Sequence, residues 1–503
     1  MKAKPRGVSV GALCLGLSAL ALSGCVVASA RFPPDVQRAI NREDMRRLET
    51  RELVVYYPEG TRARALAAAT RLEYCRRELQ RLAEIKAGFA TDKTVVVLPR
   101  LPFNNAYVAP TFGGFEQVMV LPEYNTSELF VLLGMPPDPS NIGCHEMVHD
   151  QAFRQLSGAA KIIRYMFGNV YSPQFGLDSW WQEGLAVYYE TKLQGSGRLW
   201  TPYFQGLFAA GLSRVGALHG GYLNVAQREV LMGGNYLFGS HFVDYLARTY
   251  GEERLWQVVG AQSNAVFFPF AISNLFRNVY GESLATLIDE FAADAKRRYP
   301  ARARPAAQRA VDTLGRSTKY ARSANGREVL LTEDVDDPPR LVARDADGTL
   351  LSSRRLTDLG LGRRLLDPSV EMISGLSLTR DGRYAYFVAL DQGPVFSQAK
   401  LLRLDLAHDE LEVVHDDLAG PGGSISGDGR YYYFSRTTAE ADTPGYALLR
   451  LDTTSGEIRA LARPAPRQYL LAPVASPDGR RLLVTEVSDA GIRLALYDAT
   501  NGQ

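Results

Sequence analysis

Histidine is scarce in this chain, with six in 503 residues. Cysteine is scarcer, with four, and two of these (Cys14 and Cys25) fall near the N-terminus, leaving only Cys75 and Cys144 for the body of the protein. Charge of one sign is lacking too. Lys and Arg number 57 against 55 Asp and Glu, and a formal net charge of +2 offers no electrostatic footprint for a nucleic-acid partner. The N-terminal apolar run, "VSVGALCLGLSALAL", falls short of the roughly 20 residues that a membrane-crossing helix needs. What the chain does have is length and apolar content: 503 residues at 46% hydrophobic suffice for two or three domains with real cores.

That short run follows Lys2, Lys4 and Arg6, the order of a secretory signal, and ends in "LSGC", Leu22 to Cys25. The phrase resembles the lipobox of bacterial lipoproteins. The resemblance implies cleavage before Cys25, lipidation of its thiol and anchoring in the cell envelope. Val26 stands where inner-membrane lipoproteins usually carry Asp, so the expected address is the outer membrane. In that oxidising compartment Cys75 and Cys144 are free to pair, and two unpaired, buried thiols are equally compatible with the sequence.

The body divides by texture. Residues 1–24 read as the signal peptide and 25–50 as a tether. In 51–299 a short strand, "ELVVYYPEG", precedes a helical stretch over 61–88, then "TVVVLP" and "EQVMVLP" read as strands, and the pattern is mostly helical from 144 to about 298. "AKRRYPARARPAAQR" has Pro, Ala and Arg without apolar periodicity, and 300–311 reads as a solvated linker. Beyond it, 312–503 carries one phrase four times: "SANGREVLLT", "TRDGRYAYFV", "SGDGRYYYFS" and "SPDGRRLLVT". The glycines at 326, 382, 429 and 479 are spaced by 56, 47 and 50. An Asx-Gly turn between strands at this period marks a β-propeller blade. The repeats resemble TolB-like propellers, and about four blades make a partial array whose bare strand edge would be a hazard.

Two of the six histidines lie in "SNIGCHEMVHDQ". In a helix, i and i+4 share a face, so His145 and His149 can turn two imidazoles toward one ion. Glu146 sits beside that face, placed to hold a water instead of the metal. A third ligand must come from another element. "DSWWQEGLAVYYE" offers Glu183 in the second turn of a helix begun by a Ser179–Gln182 capping box, and Gly184 leaves room for a close helix approach.

HExxH followed by W-x-x-EG-[LF]-A resembles the gluzincin metallopeptidases. The resemblance covers 51–299 and implies an α+β zincin-like domain, a small sheet plus a helical lobe. Zn2+ would sit on His145, His149 and Glu183, with Glu146 as general base. The interval from His149 to Glu183 is longer than in the aminopeptidases of that group, so 150–177 reads as an insertion. Glu190 shares the face of Glu183 and is the alternative ligand. "NYLFGSHFVDYLARTYG" resembles the segment carrying the oxyanion-stabilising tyrosine, which places Tyr236 in that role with His241 as competitor. "GGFEQ" partly resembles the motif by which aminopeptidases bind a free amino terminus: Gly113, Gly114 and Glu116 agree, Phe115 and Gln117 do not. It reads as an edge strand lining the cleft that pairs with an extended peptide backbone, with Glu116 facing solvent; binding of a free amino terminus through Glu116 is the lesser reading.

The whole implies a membrane-anchored zinc peptidase acting on a peptide or protein substrate, its propeller free to bind a protein partner or to sieve substrates. Two rivals stand beside it. One is a non-catalytic surface lipoprotein with a structural or inactive zinc site and a working propeller. The other is a zinc hydrolase of a different substrate, such as a cell-wall cross-link.

Overall fold

The computed structural model describes residues 38, 40–83, 92–99, 106–121, 139–195, 197–215, 218–225, 233–266, 272–300, 317–333, 339–359, 373–392, 397–418, 420–437, 446–465, 468–488 and 491–503. The signal sequence, Cys25 and the linker 301–311 lie outside them.

The N-terminal unit starts with a mixed sheet of β1 (Met45–Glu49), β2 (Leu53–Pro58), β3 (Thr94–Val97), β4 (Tyr107–Pro110) and β5 (Gln117–Val120), in the order β1-β2-β3-β5-β4. β2, β3 and β5 run parallel, while β1 and β4 close the two edges antiparallel. β2, "LVVYYP", is buried along most of its length, as a central parallel strand covered on both faces must be. β1 pairs with β2 through residues 45–49, so the sheet begins inside the stretch read as a tether.

Helix α1 (Arg62–Ala83) lies on the sheet, and α2 (Pro139–Arg154) packs beside it. Cys75 on α1 is bonded to Cys144 on α2, with Cα atoms 5.6 Å apart, which settles the pairing the sequence left open. A buried charged cluster fixes the far end of α2. Asp150 pairs with Arg154 at 2.9 Å and accepts from Thr94 on β3 at 2.9 Å, while Arg76 on α1 pairs with Glu52 at 3.1 Å. Burial alone would raise Asp150, but Arg154 and Arg76 outweigh it and hold the carboxyl below its usual range.

The helical lobe follows: α3 (Gly158–Phe167), α4 (Ser179–Gln194), α5 (Pro202–Val215), α6 (Gly233–Tyr250), α7 (Glu253–Gln262), α8 (Ile272–Tyr280) and α9 (Leu284–Arg298). Trp180 and Trp181 on α4 pack against Phe242 of α6 and Phe276 of α8. α4 and α6 cross backbone to backbone. A Cβ placed on Gly184 would lie 2.6 Å from the carbonyl carbon of Gly239, and one on Gly239 would lie 2.5 Å from the Trp180 carbonyl oxygen. The expected capping box does not form. Asp178 is the N-cap residue and accepts from its neighbour's indole, Trp180 Nε1, at 3.1 Å; Gln182 donates to the Leu177 carbonyl; and Ser179 accepts from Asn235 on α6. A tertiary partner, Asn235, has claimed the Ser179 hydroxyl, and Gln182 turns back to the chain just before the helix.

The C-terminal unit is a stack of antiparallel sheets. β6 (Ser317–Arg322), β7 (Glu328–Glu333), β8 (Arg340–Arg344) and β9 (Leu350–Arg355) form the first. β10 (Ile373–Leu378), β11 (Tyr384–Gln392), β12 (Ser397–Asp405) and β13 (Glu410–His415) form the second. The third comprises β14 (Ser424–Ile425), β15 (Tyr431–Thr437), β16 (Tyr446–Asp452) and β17 (Ile458–Ala462), and the fourth β18 (Tyr469–Ala475), β19 (Arg481–Ser488) and β20 (Gly491–Asp498). A single parallel pairing, Tyr446 with Tyr469, joins these last two into one seven-stranded sheet. Leading strands β6, β10, β14 and β18 lie side by side in that order, as in propeller blades. The four repeated glycines all sit at positive φ, from 66° to 91°, which explains the recurring residue. Among the described residues no comparable approach joins β18 back to β6, and the four leading strands do not close into a ring.

Candidate metal centre

α2 presents His145 and His149 one turn apart, their ring centroids 5.0 Å from each other. α4 crosses it and brings in Glu183. The Nε2 atoms of the two histidines are 3.3 Å apart, and Glu183 Oε2 lies 3.1 Å from His145 Nε2 and 3.6 Å from His149 Nε2. Among the described residues this is the group of metal-ligating side chains that converges on one point. Four tetrahedral ligands about 2.0–2.1 Å from a zinc ion lie roughly 3.3 Å from one another, so these residues fit Zn2+ in both spacing and donor type. The side chains of His149 and Glu183 keep 13% and 21% of their surface, whereas His145 keeps 4%, so the centre opens to solvent on the His149–Glu183 side.

Electrostatics favour a cation here. Burial would raise the Glu183 carboxyl, yet His149 and His145 outweigh it and hold it well below the usual range. Burial would lower His145, but hydrogen bonds to Glu183 and Glu190 override it and lift the imidazole to about 9. A proton and a metal compete for the lone pair on His145 Nε2, and Glu183, the acceptor on that side, is placed to share either one.

Glu190 is not a member of the ligand group. It lies behind His145 with 1% of its side chain exposed, its Oε2 3.1 Å from His145 Nδ1. This correction follows from helix geometry: seven residues after Glu183 is two turns along α4, past the Nε2 atoms of the histidines and level with the back of the His145 imidazole. Sequence reading missed Arg198, which closes this layer. Its Nε donates to Glu190 Oε1 at 3.1 Å, its Nη2 bonds Glu190 Oε2, and that Nη2 is 2.9 Å from His145 Nδ1. The signal was the turn "QGSGR" after α4. Gly195 takes φ +69°, and Gly197 lies so close to Thr191 that a Cβ there would be 2.9 Å from its Cα. The chain thereby doubles back and sets Arg198 beside Glu190.

Glu146 is buried and accepts a hydrogen bond from the Val108 amide on edge strand β4; burial pushes its carboxyl upward. Tyr236, on α6, hydrogen-bonds Glu183 and stacks on His145 at a centroid distance of 6.2 Å. Burial and the Glu183 charge raise its phenol. His241 points elsewhere. It is sandwiched against Phe208 at 3.8 Å in the helical core and donates Nδ1–H to the Leu237 carbonyl, while burial lowers it to about 4. Five residues along α6 turns the side chain about 140° away from the Tyr236 face, which separates the two competitors.

The strand reading of "GGFEQ" is corrected, while Glu116 faces solvent as expected. β4, not residues 113–116, is the edge strand; Gly113 to Glu116 form the turn between β4 and β5, and Glu116 is exposed there. The α3 terminus holds this turn: Asn169 N donates to the Gly114 carbonyl at 2.7 Å, and Asn169 Nδ2 to that of Glu116.

No protein-family model and no curated protein sequence matches this chain. Solved structures resemble its propeller region. TolB from Acinetobacter baumannii is 16% identical over 37% of this chain and 42% of its own, with a TM-score of 0.28. A putative TolB from Agrobacterium tumefaciens is 13% identical over 37% and 58%, at 0.27, and a prolyl endopeptidase structure 15% identical over 37% and 28%, at 0.28. The chain thus spans less than two thirds of each of these neighbours. Among the described residues no helix is long and apolar enough to cross a membrane.

Proposed function

We propose that this chain is a zinc metallopeptidase of the bacterial cell envelope, anchored by a lipid on Cys25, with a TolB-like propeller that binds a partner or limits access to the cleft. The observation that carries this reading is the convergence of two imidazoles and one carboxylate at tetrahedral spacing, flanked by Glu146 and Tyr236. When bound there, zinc supplies a Lewis acid that acidifies a water and polarises a carbonyl. Glu146, its basicity raised by burial, takes the proton of the attacking water and returns it to the leaving amine. Tyr236, held protonated, donates to the oxygen on which negative charge develops. β4, which among the described strands pairs with β5 alone, runs beside Glu146 and would offer its remaining backbone groups to an extended peptide.

The test begins with metal, because the substrate is unidentified. One zinc per wild-type chain, lost in His149→Ala and Glu183→Ala, is the expected result. Glu146→Gln should keep the zinc and abolish cleavage of a mixed peptide library that the wild type cuts. A folded wild-type chain that takes up no added zinc, or a Glu146→Gln variant that still cleaves, would overturn the reading.

A further inference from the structure

We propose that Arg198 is a positioning residue of this centre: its guanidinium fork holds the Glu190 carboxylate against Nδ1 of His145 and carries the ring of Tyr236. The inference rests on the zinc reading above. Arg198 is 3% exposed, and a buried guanidinium is tolerated only where its charge and donors are used. Both oxygens of Glu190 are engaged by its fork, and its Cζ lies 5.3 Å from the Tyr236 ring centroid. One cation therefore touches the layer behind a metal ligand and the ring of the oxyanion donor.

Charge balance gives the reason for a cation at this place. Glu146, Glu183 and Glu190 put three carboxylates into one cluster. A divalent ion offsets two of them, and Arg198 offsets the third. Proton placement gives a second reason. A His145 that offers Nε2 to a metal carries its proton on Nδ1, and Glu190 Oε2 at 3.1 Å is the acceptor. In the other tautomer Nε2–H faces Glu183 at 3.1 Å and Nδ1 accepts from Arg198 Nη2 at 2.9 Å. The Glu190–Arg198 pair thus gives Nδ1 a partner in either form, and the ring keeps one orientation before and after metal arrives.

The experiment uses the full chain in detergent. Zinc affinity is read by chelator competition, and ligand geometry by the visible absorption of the Co2+-loaded protein. The double variant Glu190→Gln/Arg198→Met removes the pair together and so strands no buried charge. It should melt as the wild type does, bind zinc roughly 10- to 100-fold more weakly, and show an altered cobalt spectrum. Arg198→Lys keeps the charge without the fork and should fall between the two. Wild-type affinity with a wild-type cobalt spectrum in the folded double variant would overturn the proposal; should that variant not fold, the same result in Arg198→Lys would do so. Absence of zinc from the wild-type chain would instead sink the metal reading itself.

Discussion

Gly184→Ala separates two effects that oppose one another. In the interior of an exposed helix, replacing Gly by Ala stabilises by up to about 1 kcal/mol, because Gly loses more backbone freedom on folding. Gly184 is at the crossing of α4 and α6. The added methyl would meet the Gly239 carbonyl carbon at 2.6 Å, its oxygen at 2.7 Å and Ser240 N at 3.1 Å. Carbon contacts are comfortable only from roughly 3.5 Å, so the helices must part by about 1 Å. All three atoms are main chain and cannot rotate aside. Overpacking of this kind costs about 1–3 kcal/mol, and the rigid obstacle places this case near the top, so a net loss of about 2 kcal/mol is expected. Gly206 on α5 is the control: a Cβ there meets nothing within 4 Å, and Gly206→Ala should stabilise. The assay is thermal unfolding followed by helical circular dichroism at 222 nm, a signal that comes from the N-terminal half because the described repeat sheets lack α-helix. Glu183 precedes Gly184, and a 1 Å displacement is large beside ligand spacings of 3.1–3.6 Å, so zinc affinity should fall as well. A Gly184→Ala protein as stable as Gly206→Ala, with unchanged zinc affinity, would refute the packing argument.

Further expectations follow from the same geometry. The Cys75–Cys144 bond closes a loop with a sequence separation of 69, worth about 4 kcal/mol by chain entropy, so the Cys75→Ala/Cys144→Ala variant should melt roughly 10 °C lower. A shift under about 2 °C would show that this tether adds little to the native state. His241 is held neutral by burial, at about 4 against an ordinary 6.5. Below 6.5 the unfolded chain takes the proton more readily, so stability is lost as pH falls from 6.5 to about 4 and levels off beneath. At pH 5 this amounts to about 2 kcal/mol relative to pH 8. His241→Phe should flatten that part of the pH–stability profile, and an unchanged profile would count against the assignment.

What the sequence determined by itself was local. Helical spacing placed His145 and His149 on one face, because i and i+4 meet wherever a helix forms. The repeated Asx-Gly phrase marked its turns, because positive φ selects Gly whatever surrounds it. Gly184 likewise announced a close approach. Tertiary structure decided whatever depended on a partner distant in the chain. Glu183 and Glu190 offer the same carboxylate on the same helical face; only the crossing of α4 over α2 makes one face the Nε2 atoms of both histidines and the other the back of His145. Tyr236 was the candidate and His241 its competitor until α6 packed and turned the first toward Glu183 and the second into Phe208. Arg198 had no motif at all, since its role exists only once a glycine turn folds it against a carboxylate eight residues away. Ser179 and Gln182 had a motif and did not use it: Asn235, distant in the chain, bonds the Ser179 hydroxyl, and Gln182 turns to the Leu177 carbonyl. A chain fixes which groups can reach one another along a single element; packing fixes which of them do when several elements compete for the same atom.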